Sequence, residues 1–187
     1  MQRGVMPPVP TSRRSSDDAT MLVRPRMDDD IESLCKLIRR VHLRDGYPVK
    51  LQSDVRSFIV TSNCHAAWVA EACGSLVGHV SLHTVWSDAV AALACGVLGC
   101  QRDQLGAVSR LFVAPESRGG GIGQALLDAA AKAARARSLH PVLDVATSYG
   151  PAIRLYEAAN WERLGTVWLE MPDGEPIAEH VYAAPAS

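Results

Sequence analysis

Between Val108 and Tyr156 the chain gathers the residue types most able to do chemistry, and the densest group is Arg118-Gly119-Gly120-Gly121-Ile122-Gly123. Directly afterwards Ile122, Ala125, Leu126, Ala129, Ala130 and Ala133 recur at helical spacing, so a helix is predicted to start inside the glycines. Residues without a β-carbon let a backbone approach a ligand closely, and the first turn of a helix carries N–H groups that have no partner in the helix. Such a turn is an anion site suited to a phosphate or pyrophosphate.

Two familiar phosphate turns do not fit. A P-loop needs a lysine and a hydroxyl after its last glycine, where this chain has Gln124 and Ala125. A dinucleotide turn needs G-x-G-x-x-G; counted from Gly119 the third glycine falls on Gln124, and counted from Gly121 it falls on Leu126. Asp144 lies roughly 20 residues on, where that fold places its ribose acid, yet Pro115 ends the preceding strand several residues before the first glycine.

The elements that position this turn follow from the flanking pattern. Leu111, Phe112 and Val113, stopped by Ala114-Pro115, predict a buried strand before it. His140 to Ala146 predicts a second strand after it, and Ile153, Tyr156 and Glu157 belong to a second helix. Upstream, Met21 to Met27 reads as a short strand, with Pro25 placing it at a sheet edge or a strand end. Asp29 and Glu32 stand at capping-box spacing before a helix whose apolar face is Ile31, Leu34, Cys35, Ile38 and Val41, with His42 at its rim. Arg44 to Pro48 is a turn, followed by a short helix between Leu51 and Thr61. Ala67 to Ala72 and Leu76 to His83 predict a hairpin through Cys73-Gly74-Ser75. Residues 87–104 are alanine-rich, with Val90, Leu93, Ala94, Val97 and Leu98 at helical spacing, and predict a helix from Ser87 or Asp88 to about Gly99. Trp161 to Met171 and Ile177 to Tyr182 predict a final hairpin, with its turn at Pro172 to Glu175.

Arg118-x-x-Gly121-x-Gly123 resembles the [QR]-x-x-G-x-[GA] signature of the GNAT family of N-acetyltransferases, placed between a strand and a helix as in that family. Ala152 to Trp161 resembles its A-x-x-L-Y-E-x-x-G-[FW] segment at the matching distance. The likeness is specific over Val108 to Trp161 and looser from about Met21 onward. It implies an α+β fold, a three-layer α/β/α sandwich around a twisted mixed sheet of the acyl-CoA N-acyltransferase type, as the mixed element order also suggests. Residues 21–187 then form that domain, with 87–104 as a helical insertion.

The resemblance also implies roles. Acetyl-CoA is the co-substrate: backbone amides of Gly119, Gly120, Gly121, Ile122, Gly123 and Gln124 cradle its pyrophosphate, with Arg118 adding charge or shaping the turn. Leu111 and Val113 pair with the pantetheine amides as an added strand, and an amide near Phe112 polarises the thioester carbonyl. Tyr156 matches the general acid, a phenol of pKa about 10 serving a thiolate of pKa about 8.5. The segment joining the first two helices closes over the acceptor amine, which makes Tyr47 and Asp45 substrate contacts. The general base is not fixed. Many relatives carry a glutamate ahead of the apolar run, where this chain has Ala107, Val108, Ser109 and Arg110; Glu71, His83 and Asp144 remain, or ordered water. Tyr149 stands where relatives often carry asparagine. The acceptor is a small-molecule or peptide amine, acetylated by direct transfer. A non-catalytic acyl-CoA-binding module is the alternative that the missing strand carboxylate suggests.

Composition narrows the classes. A chain of 187 residues with a formal net charge of -1 fits one domain and does not favour nucleic acid as a partner. Cys35, Cys64, Cys73, Cys95 and Cys100 contain no C-x-x-C pair and suit a reducing, cytoplasmic setting; neither zinc nor a cysteine nucleophile is indicated. His79 and His83 share a strand face without a third ligand. No apolar run reaches the roughly 18 residues of a membrane span, and no signal peptide is read. Residues 1–20, rich in proline, serine and charge, predict a flexible tail, with Met21 as an alternative start. Dimerisation, common in the family, is undecided by these residues.

Overall fold

The computed structural model describes residues 21–85, 87–170 and 175–186. The N-terminal stretch 1–20 and most of the expected 172–175 turn lie outside them. The elements run β1 (Leu22–Pro25), α1 (Ile31–Asp45), α2 (Val55–Ile59), β2 (Cys64–Ala72), β3 (Ser75–His83), α3 (Asp88–Leu98), β4 (Leu105–Val113), α4 (Ile122–Arg135), β5 (His140–Ala146), α5 (Gly150–Ala158), β6 (Glu162–Leu169) and β7 (Ile177–Ala183). One seven-stranded sheet has the order β1-β2-β3-β4-β5-β7-β6, antiparallel except for the parallel pair β4 and β5. The mixed sheet with helices packed on it is the architecture expected.

Local chemistry sets the ends of these elements. Cys73 (φ 50) and Gly74 (φ 70) form the two-residue turn of the β2–β3 hairpin, with Ala72 opposite Ser75. Two successive positive φ values are what a primed turn needs to follow the strand twist. Before α1 the cap differs from the expected Asp29–Glu32 box. The Asp30 carboxylate accepts from Met27 N–H at 2.7 Å and from both Arg24 terminal nitrogens, at 2.8 and 2.9 Å, whereas Glu32 pairs with Lys36. Ser87 caps α3 through Val90 N–H, and Gly99 (φ 66) closes it. The buried stripe of that helix is Val90, Ala91 and Ala94; Val97, expected on it, is 54% exposed.

Two apolar clusters hold the layers together. The larger joins α1, α2 and α4 to the central strands through Leu34, Ile38, Ile59, Val80, Leu82, Leu126 and Leu127. The smaller lies under α3, where Val90 and Ala94 pack with Val142 and Val181. Close approach of α4 depends on a missing side chain on β3: a β-carbon at Gly78 would sit 2.8 Å from Leu126 Cδ1 and 3.2 Å from the Phe112 carbonyl oxygen. A larger residue there would overpack the core at a cost of roughly 1–3 kcal/mol. The alternation along β5 and β7 divides the two clusters, since Leu143, Val145 and Tyr182 enter the first and Val142 and Val181 the second.

Candidate active site

The glycine turn is held open by its own arginine. After β4, Ala114 N–H donates to the Val77 carbonyl, a single turn of Pro115–Ser117 follows, and Arg118 folds back. Its Nε and Nη2 each lie 3.2 Å from the Val113 carbonyl oxygen, and Nη2 also donates to the Asp45 carboxylate at the end of α1. Asp45 is thus engaged by Arg118, away from the acceptor contact expected of it. The Val113 carbonyl is likewise occupied, so of that residue only the N–H could serve an added strand.

Gly119 (φ 83) and Gly121 (φ 79) lie in left-handed backbone, and a β-carbon on either would meet nothing within 4 Å. Conformation demands glycine at both positions, and the space beside them is open. Gly123 differs, because a β-carbon there would lie 3.0 Å from Leu155 Cδ2, so its role is the contact between α4 and α5. The ladder of α4 begins with Ala125 N–H on the Gly121 carbonyl, and the amides of Gly119 to Gln124 meet no carbonyl among the described residues. The Ile122 side chain is buried in the core, leaving its amide alone for the turn. These features fit a pyrophosphate: several N–H groups without acceptors, at the positive end of a 14-residue helix, in a cradle without side chains.

Beside the turn the sheet opens. β4 and β5 pair only over Leu105–Ala107 against His140–Val142, so β4 from Val108 onward has no ladder partner on its β5 side. On the β3 side, His79 opposes Phe112 and Ser81 opposes Ser109, so Arg110 and Leu111 face the single residue Val80. Arg110 carries φ 53, a left-handed conformation held by this bulge. The bulge re-aims its side chain. Arg110 Nε donates to the Phe58 carbonyl of α2, its Nη1 lies 2.9 Å from His83 Nε2, and its guanidinium sits 5.3 Å over the Phe58 ring. A cavity of about 410 Å³ results, lined by Tyr47, Phe58, Asn63, His83, Ala107, Ser109, Arg110 and Asp144. Tyr47, expected here, is present, with its ring edge-on to Phe58 at 6.2 Å and to Tyr149 at 5.7 Å. Tyr149 donates to the Gly46 carbonyl at 3.0 Å and so braces the Tyr47 segment.

Burial decides the protonation of the neighbouring rings. Desolvation, aided by the Arg110 cation, pushes His83 down to about 3, so the imidazole stays neutral and is too weak a base to take a proton from an ammonium. His79 is also held at about 3 by burial; its Nδ1 bonds the Arg110 carbonyl at 3.0 Å and its ring stacks on Phe112 at 5.1 Å. It fixes the bulge. Tyr156 is buried between Trp161 and Tyr182, at ring distances of 6.4 and 5.9 Å. Burial first, and the Asp144 charge second, push its phenol well above the usual range. Such a phenol stays protonated, and a thiolate leaving into the same dry surroundings is raised in parallel, which keeps proton donation feasible.

Glu71 is not brought to this site. Its carboxylate accepts from Arg24 Nε at 3.3 Å and lines a separate groove with Asp30, Lys36 and Gly74 beside β1. Of the three side-chain bases considered, only Asp144 lies on the cavity without a neutralised ring. Arg110, Phe58 and Glu179 were not singled out by the sequence. Ser109-Arg110 offered one signal: two successive polar residues in an apolar strand break the alternation, as a bulge does. Among the described residues no three His, Cys, Asp or Glu side chains gather as a metal cluster, and no helix is long and apolar enough to cross a membrane.

Comparison with known proteins agrees with this geometry. The model of the Acetyltransferase (GNAT) family matches residues 31–161. An N-acetyltransferase from Staphylococcus aureus Mu50 superposes with a TM-score of 0.66 at 18% identity, over 88% of this chain and 98% of that one. Arabidopsis thaliana NAA60 in complex with acetyl-CoA superposes with a TM-score of 0.66 at 21% identity, over 88% and 97%. The ribosomal-protein-S18-alanine N-acetyltransferase of Escherichia coli gives 0.63 at 16% identity, over 90% and 95%. At these identities the likeness is one of fold. A search of curated proteins finds no sequence match.

Proposed function

The chain belongs to the GNAT acetyltransferase family and is an acetyl-CoA-dependent N-acetyltransferase, and on that premise we propose which residues hold each reactant and that the acceptor is a primary amine on a small molecule or peptide. The amides of Gly119 to Gln124 bind the pyrophosphate. The β4 edge between Val108 and Val113, left without a partner by the splay, receives the pantetheine arm as an added strand, with Leu111 supplying both backbone groups and Val113 its N–H. Arg118, tied to Asp45 and Val113, sets the shape of the turn. The thioester then meets the cavity at the bulge, where a backbone amide near Phe112 can polarise its carbonyl.

The acceptor nitrogen, entering from the cavity beside Tyr47, attacks the thioester carbonyl carbon. A C–N bond forms, the C–S bond breaks, Tyr156 donates its proton to the departing sulfur, and a proton lost from the acylated nitrogen restores the phenol. The observation that carries this reading is the conjunction of N–H groups lacking acceptors in the glycine turn with an unpaired β4 edge that leads from it to the cavity of Tyr47, Ser109 and Asp144. The test is thiol release from acetyl-CoA over a panel of peptide and small-molecule amines. Turnover with at least one amine is expected; acetyl-CoA binding without turnover on any, unaffected by Tyr156→Phe, would favour the non-catalytic module instead.

A further inference from the structure

The cavity has one acidic wall, and the group behind it comes from the last strand. β5 and β7 are antiparallel, with Asp144 opposite Val181 and Ala146 opposite Glu179. Directly opposed residues share a face, as do residues two apart, so Asp144 and Glu179 are diagonal neighbours on one face of the sheet. Asp144 lines the cavity and Glu179 does not. Glu179 Oε2 is buried and has no hydrogen-bond partner among the described residues other than what a proton shared with Asp144 would provide. No Lys, Arg or His forms an ion pair with Asp144 among the described residues. Across the cavity the one cation, Arg110, is committed to Phe58 and His83.

We propose that Asp144 and Glu179 act as a carboxyl pair that receives the acceptor as an ammonium ion and removes its proton, Asp144 as the catalytic residue and Glu179 as the positioning residue behind it. The inference rests on the acetyl-transfer reading above and supplies its missing base. Asp144 binds R–NH3+ as its counter-ion and takes one N–H proton, which the pair shares, leaving R–NH2 with its lone pair free. The amine nitrogen bonds to the acetyl carbon, sulfur leaves with the C–S electrons and is protonated by Tyr156, and the second nitrogen proton restores the phenol. The pair then returns its proton to solvent.

The facing groups are consistent with such a trap. Tyr47 lines the cavity with Asp144, Tyr156 lies within reach of the Asp144 charge and Tyr149 within reach of the Glu179 charge, and all three are held in the phenol form by burial. His83 is neutral, and Arg110 and Asp144 lie on the same cavity, which gives it a positive and a negative wall. Burial first, and the bond to Asp144 second, push Glu179 up to about 8. A base must be deprotonated to act, so the activity contributed by the pair rises with pH through about 8.

The experiment is the pH profile of kcat/KM for two probe peptides, one with a free α-amino group and one with only a lysine ε-amino group, whose ordinary pKa values are about 8 and about 10.4. The rising limb is expected at the same pH for both peptides in the wild type. Glu179→Gln is expected to move it down by about one pH unit or more, and Asp144→Asn to lower kcat/KM by about 100-fold with acetyl-CoA affinity, read by equilibrium binding, unchanged. A limb that follows the peptide's own pKa, or a Glu179→Gln profile superimposable on the wild type, overturns the pair while acetyl transfer stands. A wild type that binds acetyl-CoA yet acetylates neither peptide, nor any amine of the wider panel, overturns both. Carboxyl NMR titration decides the shared proton without turnover: a Glu179 signal that titrates in the ordinary carboxylate range, or is unmoved by Asp144→Asn, also sinks the proposal.

Discussion

The glycine turn and the cavity next to it lie at opposite ends of one opening in the sheet, yet they are built by different means. From Arg118 to Gln124 the binding groups are main-chain amides, consecutive in sequence and presented by backbone conformation, with the one arginine side chain turned inward onto Val113 and Asp45. The cavity draws three residues from β4 and single ones from α2, β3, β5, the segment after α1 and the loop before β2, and a bulge aims the most polar of them. A group that every member of a family must bind can be held by main-chain amides, provided glycines let the backbone take the turn. A group that differs from member to member has to be met by side chains brought from far apart.

That contrast can be broken by experiment. Tyr156→Phe removes a proton donor from the cavity side without touching the turn, and it is expected to lower kcat by roughly 100- to 10,000-fold with the acetyl-CoA KM little changed. Thiol-release kinetics measure both, and a rise confined to that KM would count against the division. Gly121→Val attacks the other side. It forces a branched residue into a left-handed conformation at a cost of about 1–2 kcal/mol, and the expected result is an acetyl-CoA KM raised by about ten-fold or more. The amine KM should stay within a factor of two or so. The smallest effect belongs to a carboxylate outside both regions. Glu71→Gln should leave kcat unchanged and shift stability by no more than about 1 kcal/mol, because its bond to Arg24 is a half-exposed ion pair. A large fall in kcat would return Glu71 to the list of bases.

Legibility in the sequence divides along the same line. The turn, the strand before it and the helix after it could be read because each depends on neighbours in the chain: glycines at left-handed positions, a proline that stops a strand, an apolar stripe at helical spacing. The hairpin at Cys73-Gly74 was readable for the same reason. Tyr156 and Tyr47 were proposed through the family's pattern, and the structure places Tyr47 on the cavity. What the residues did not disclose depends on register. Arg118 reaches back to Asp45 across 73 positions, so Asp45 was assigned to the acceptor. Arg110 enters the cavity only because β4 slips by one residue against β3. Glu179 meets Asp144 only because β7, not β6, lies next to β5, an order that chain sequence does not state. Asp30, not Asp29, stands at the start of α1, with its carboxylate turned to Met27 N–H and to Arg24 of β1.

The position of β7 has a consequence for how the protein comes into being. A strand that follows β6 in the sequence lies between β5 and β6 in the sheet, so during synthesis β5 and β6 must both wait with an open edge between them until residues 177–183 arrive. Vectorial folding from the N-terminus can complete the glycine turn and leave the acid wall unbuilt. A chain cut before Ile177 would keep the glycines that grip the coenzyme and lose Glu179, one half of the proposed carboxyl pair.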